Sequence, residues 1–209
     1  MMHDKYVDVT TGAVPLVAVQ EPLERPMRPV VGLDLSLTGT GVTVINAGVH
    51  TALFGAKGHK SDTLQMRADR LDTLFSQIVN VIPEHALVVI EQPAYSSVGG
   101  SHHDRSGLWW IIVHHLYQFH DIAEVPPSTL KKYAVGKGGG PGATKGAVIE
   151  AVTRRYPDVS TGGDDNICDS FVLAAMGSRH LGRPLEESLP QTHLAAMDAV
   201  RWPNPKGTK

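Results

Sequence analysis

The chain has one cysteine, Cys168, among 209 residues, which excludes an internal disulfide framework and a Cys-based zinc site and suits a reducing cytoplasm. It also has almost no excess of charge: 19 Lys and Arg against 21 Asp and Glu leave a formal charge of −2. Overall charge therefore does not announce a polyanion binder, and any such surface must be a local patch. No apolar run approaches the length that spans a bilayer, and the first residues lack the basic-then-apolar pattern of a secretory leader. A soluble, cytoplasmic protein without a membrane partner is expected. There is no internal repeat, and a hydrophobic content of 42% is enough for one packed core.

What is present starts with Val30-Val31-Gly32-Leu33-Asp34-Leu35-Ser36-Leu37, an apolar strand with one carboxylate inside it. An ionised Asp34 among Val and Leu is poorly solvated unless a cation or several donors compensate it. Gly39-Thr40-Gly41 reads as a turn into a second strand, Val42 to Ile45. Three readings of Asp34 compete: a strand-end cap, part of a phosphate-binding hairpin of the actin and hexokinase type, or a divalent-metal ligand in a nuclease. Asp34 alone does not separate them.

The rest of the chain alternates strands and helices. Thr51 to Ala56 reads as a third strand, and Ser61 or Asp62 caps an amphipathic helix that runs to Pro83. Ala86 to Ile90 is a strand buried on both faces and ends in Glu91. Ser96 to Ser106 reads as a loop. Leu108 to Phe119 is a helix apolar almost all round, through Trp109 and Trp110, and is either deeply buried or shared with a second subunit. Ile122 to Val125 is a short strand, Ser128 caps a helix to Val135, Thr144 caps the helix Lys145 to Tyr156, and Asp164 to Leu181 is the last long helix. The pattern predicts a mixed α/β sheet flanked by helices, with a flexible arm at 1–29, one domain at 30–181 and a tail at 182–209.

Asp165 and Asp169 lie four apart on the last helix, one turn above the other. Helix-dipole preference accounts for acids in a first turn, but it accounts poorly for Asp169, which stands a turn further in and precedes an apolar segment. The chain thus supplies acids at one strand, at the end of another and on the final helix. All are hard oxygen donors, a set that suits Mg2+, with Mn2+ as a substitute, and two-metal hydrolysis of a phosphodiester.

The ordered motifs Gly-Leu-Asp34-Leu-Ser-Leu-Thr-Gly-Thr-Gly-Val, Ile-Glu91-Gln and Asp165-Asn-Ile-Cys-Asp169-Ser resemble the signature of the RuvC family of Holliday junction resolvases, in the retroviral-integrase and RNase H superfamily. The resemblance covers residues 30 to about 180. It implies an RNase H-like mixed five-stranded sheet whose first three strands are antiparallel. It also implies a homodimer, for which the apolar helix of Trp109 and Trp110 is a candidate contact, and paired Mg2+-dependent nicks that leave 5′-phosphate ends. Asp34, Glu91 and Asp169 would hold two ions. The family's fourth metal position, three before the last Asp, is Asn166 here, and Asp165 is the candidate replacement. The family's junction-probing aromatic is replaced by Ala94, with Tyr95 as a stand-in. These departures and the small size look more like phage-type relatives.

Between Ser128 and Arg155, Lys131, Lys132, Lys137, Lys145, Arg154 and Arg155 face only Glu150, a basic segment suited to a DNA backbone. Its glycines do not form a P-loop, because the Gly-Lys-Ser/Thr ending is missing. By the resemblance Lys131 and Lys145 contact DNA, with Lys145 also catalytic. His102 and His103 are further DNA-contact candidates, whereas the spacing of His114, His115 and His120 does not converge on a zinc ion. The leading expectation is an endonuclease acting on branched DNA. A less selective flap, fork or RNA–DNA nuclease, a catalytically idle nucleic-acid-binding relative and an actin-like ATPase or sugar kinase are the alternatives. The last lacks a second phosphate hairpin.

Overall fold

The structure, a computed structural model, describes residues 27–93 and 102–204. Tyr95 and nearly all of the expected N-terminal arm lie outside the described residues. Strands β1 (Val30–Asp34), β2 (Thr40–Ile45) and β3 (Val49–Phe54) form an antiparallel meander. Helix α1 (Leu64–Val79) leads to β4 (Leu87–Glu91), and α2 (His102–Leu116) leads to β5 (Asp121–Val125). Both crossovers return parallel, so the sheet order is β3-β2-β1-β4-β5. Helices α3 (Pro127–Val135), α4 (Lys145–Arg155) and α5 (Asp165–His180) follow, then α6 (Gln191–Leu194) and a 3-10 turn at Met197–Ala199.

Alternation along the central strands builds two cores. Val31 and Leu33 of β1, with Val88 and Ile90 of β4, pack against Leu74 and Ile78 of α1 and Leu108 and Ile112 of α2. Val30, Leu87 and Val89 point the other way, into a core with Phe171, Leu173 and Ala174 of α5 and Leu130 and Tyr133 of α3. Gly32, Asp34 and Glu91 fall on this second face by the same alternation.

Helix α5 lies unusually close to that face. A Cβ on Gly32 would stand 1.9 Å from the Ser170 carbonyl oxygen and 2.6 Å from the Ala174 nitrogen. A Cβ on Gly41 would stand 2.0 Å from the Asn166 carbonyl oxygen. Glycine is required at both because backbone, which cannot swing aside, occupies the space. A buried hydrogen bond between the Thr43 and Ser170 hydroxyls, at 2.8 Å, holds the same contact.

Several boundaries differ from the sequence reading. The first strand stops at Asp34, and the third occupies Val49–Phe54. The cap of α1 is Thr63, whose side chain accepts from the Met66 N–H. The α2 helix begins at His102, inside the stretch read as a loop, because its first turn is polar and carries no apolar period. Its buried face is Leu108, Ile112 and Leu116, while Trp110 is 65% exposed. The segment after α5 packs back onto the domain, with Ala196 and Val200 buried. Cys168 is buried. No helix among the described residues is long and apolar enough to cross a membrane.

Replacing Gly32 with Ala is expected to destabilise the protein by about 3 kcal/mol or more, since the overpacked atoms are backbone. Urea denaturation checks this, and a variant as stable as the parent would show that α5 does not approach β1 so closely.

Candidate active site

The parallel register pairs Leu33 with Ile90, so the next residues, Asp34 and Glu91, end their strands side by side. Both face α5, and the close approach at Gly32 and Gly41 sets the first turns of that helix over the strand ends. Three acids far apart in the chain thereby meet in one cleft of about 880 Å3, lined by Asp34, Glu91 and Asp169 together with Lys131 and Lys145.

Local bonds fix each element. After Asp34 the chain turns through a knot in which the Gly39 N–H donates to Ser36 Oγ at 2.9 Å and Thr40 Oγ1 donates to the Ser36 carbonyl at 2.6 Å. Trp109 of α2 donates its indole N–H to the Glu91 carbonyl at 3.1 Å, so a helix behind the sheet steadies the strand end. Asp164 caps α5 by accepting from the Ile167 N–H at 3.1 Å, and Thr144 caps α4 by accepting from the Ala147 N–H at 3.2 Å.

The electrostatics are those of acids crowded out of water. Burial, followed by the charge of Glu91 and a hydrogen bond with it, pushes the Asp34 carboxyl well above its ordinary range. Burial likewise raises Glu91. The hydrogen bond between the two carboxyls favours the protonated form of Asp34 and the ionised form of Glu91. Burial and then the charge of Asp34 push Asp169 up to about 7. Asp165 goes the other way: its hydrogen bond and ion pair with Lys145 hold it below the usual carboxylate range. The same hydrogen bond raises the Lys145 ammonium.

The predicted residues separate accordingly. Asp34, Glu91, Asp169, Lys131, Lys145 and His102 share the cleft, while Asp165 sits beside it through Lys145. Lys132 and the exposed Lys137 do not line it, and His103 is exposed with its ring against that of His102. Asn166 lines the cleft where its proposed replacement, Asp165, does not, whereas sequence reasoning did not place Trp109 behind Glu91 or a group of arginines from α1 and α2. Hard carboxylate oxygens around retained protons are the donor set a divalent cation would compensate. Among the described residues, however, no three acids or histidines are drawn together closely enough to hold an ion as the side chains stand. The donor chemistry fits such an ion, and the ring of ligands is not closed.

The three-strand meander continued by two parallel crossovers, with helices on both faces, is an RNase H-like α/β fold, similar to that of RuvC. The Thermus thermophilus RuvC structure superposes with a TM-score of 0.50 at 15% sequence identity, over 74% of this chain and 97% of that one. T. thermophilus RuvC in complex with a Holliday junction substrate superposes with a TM-score of 0.52 at 13% identity, over 75% and 98%. At these identities the likeness establishes the fold. No family model and no curated protein matches the chain.

With its carboxyl raised to about 7, Asp169 keeps a proton in the folded state that the unfolded chain releases near pH 4. That stabilising contribution is complete below the unfolded value and is lost as pH rises through the folded one. Asp169→Asn is therefore expected to flatten the stability profile between about pH 4 and 7 and to raise the melting temperature at pH 8 in EDTA. Superimposable melting profiles for parent and variant would refute the burial of Asp169 beside Asp34.

Proposed function

We propose that this chain is a divalent-metal-dependent endodeoxyribonuclease that resolves four-way DNA junctions by paired nicks leaving 5′-phosphate ends. The carrying observation is the meeting of Asp34, Glu91 and Asp169 with Lys131 and Lys145 in one open cleft. The fold shared with a RuvC structure bound to a Holliday junction substrate supports the choice of DNA. A phosphodiester is the substrate such a site suits: cations at the mouth attract the backbone, and acids beneath it hold Mg2+ or Mn2+.

Asp34, Glu91 and Asp169 would hold the ions. A divalent cation there supplies positive charge to the phosphoryl transition state and activates water as the nucleophile. The protein's own part is to keep these carboxyls poorly hydrated in one cleft, so that cation binding releases their retained protons. Binding should therefore strengthen as pH rises through the range where Asp169 ionises. Lys131 and Lys145 neutralise phosphate oxygens at the mouth. Asp165, paired with the Lys145 ammonium, would supply an oxygen ligand at the fourth place, with Asn166 beside it. Further DNA contacts are assigned to Lys132, Lys137, His102 and His103, and to Tyr95, which lies outside the described residues.

A four-way junction requires symmetric cuts, which two copies of the chain would deliver. The exposed Trp110 and Ile111 on α2 are the surface we assign to that homodimer.

Asp34→Asn is expected to bind a synthetic four-way junction and leave it uncut with magnesium, while the parent nicks two strands of like polarity symmetrically. Parallel digests of three-way, flap and linear substrates define selectivity. A variant that cuts as well as the parent would remove Asp34 from the site. Trp110→Lys is expected to shift the sedimenting species from dimer to monomer at micromolar concentration, and an unchanged distribution would move the interface elsewhere.

A further inference from the structure

The cleft has a second lining that the acids do not explain. It comes from the β3–α1 connection and the first turns of α1 and α2, and it carries four cations, Lys60, Arg67, Arg70 and Arg105, against two acids, Asp62 and Asp104. Both acids are already engaged. Asp104, 8% exposed, accepts from Arg67 Nε at 3.0 Å, from Arg67 Nη2, and from Arg70 Nη2 at 2.9 Å. Asp62 accepts from the His59 N–H at 2.8 Å and from Arg70 Nη1 at 3.4 Å.

Stapling α1 to α2 accounts for part of this. A buried carboxylate needs partners, and Arg70, whose side chain is 12% exposed, is consumed in supplying them. It does not account for Arg67. That guanidinium is gripped along one edge by Asp104 while its side chain stays 39% exposed. The remaining edge is a rigid, oriented pair of donors of the kind that suits a phosphate. Nor does stapling account for Lys60 and Arg105, which hold no ion pair among the described residues and line the same wall. A Cβ at Gly58 would stand 1.3 Å from Arg70 Nη1, the end of a long side chain, so a larger residue there would push the guanidinium aside.

We propose that this wall is a second phosphate-binding subsite, which takes the backbone of a DNA arm leading away from the scissile phosphate. Arg67 is its central donor, Lys60 and Arg105 flank it, and Asp104 is a positioning residue that presents Arg67. The subsite rests on the nuclease reading of the cleft. Because it meets only backbone, it contributes to binding whatever the base sequence, and to linear duplex as well as to junctions.

The test measures binding rather than cutting, in an Asp34→Asn background, with a four-way junction and a linear duplex across a salt series. Replacing both Arg67 and Arg105 with Gln is expected to weaken binding to both DNAs by about tenfold or more and to reduce the salt slope by about 0.9 for each phosphate no longer neutralised. Gly58→Ala, which changes no charge, is expected to weaken binding several-fold by displacing Arg70 from the brace. Arg201→Gln, at an exposed position that does not line the cleft, serves as the control and leaves both quantities unchanged. If the Arg67 and Arg105 variant loses its thermal transition, Lys60→Gln with Arg105→Gln carries the same test without touching an ion pair. A folded variant that keeps the parent's affinity and slope overturns the subsite alone. A parent that binds neither DNA overturns the nuclease reading, and the subsite with it.

Discussion

Everything at the cleft depends on how closely α5 can approach the sheet. Asp169 reaches the strand ends only because Gly32 and Gly41 leave backbone facing backbone, at separations that no Cβ would permit. Side chains at those two positions would force the helix off the sheet and carry Asp169 away from Asp34. The fold and the chemistry thus share one constraint, since the contact that packs Ala174 and Phe171 against Val30 and Val89 also sets three carboxylates together.

That arrangement is costly by ordinary stability reasoning. Buried like charges raise one another's proton affinity, and a chain selected for stability alone would place Asn or Leu where Asp34 stands. The cost is confined to one end of the sheet. Along the rest of β1 and β4, apart from Gly32 under α5, the residues are Val, Leu and Ile, buried almost completely. The parallel pair is therefore held by apolar contact below the point where its two acids begin to repel. Lys131 and Lys145 offset part of that repulsion from the rim, where they remain accessible to a phosphate.

How much of this could be read from the chain depended on whether a residue's role showed in its neighbours along the sequence. Asp34 was conspicuous because an acid interrupts an apolar strand, and Glu91 because it ends one; the strand-and-helix alternation between them carried the fold class. Asp165 and Asp169 were legible as a pair on one helix face, but their divergence was not, because it depends on Lys145, which is brought in by α4. Arg67 and Arg70 look like the solvated side of an amphipathic helix until Asp104 arrives from α2, 34 residues beyond Arg70. Likewise the polar first turn of α2 has no apolar period to mark it as helix, since its anchor to α1 is ionic. Apolar contacts leave a period in the sequence, whereas single polar contacts between distant elements leave none.

The C-terminal segment shows the same limit, and it bears on the cleft from behind. Glu186 is 7% exposed, yet its carboxyl is held below the ordinary range: burial pushes it up, and hydrogen bonds from Tyr156, Arg179 and Tyr133 more than offset this. The Tyr133 hydroxyl donates to it at 2.8 Å and Arg179 Nη2 at 2.7 Å, while Arg179 Nε donates to that Tyr133 hydroxyl at 3.0 Å. One acid beyond α5 therefore ties together α3, α4 and α5. These three helices carry Lys131, Lys145 and Asp169. An ionised, fully satisfied Glu186 fixes the helices at the end away from the cleft, so the cations at its mouth can remain solvated on long side chains without the elements beneath them shifting. The three helices that carry the lysines and Asp169 are thus held together by residues that the cleft itself does not use.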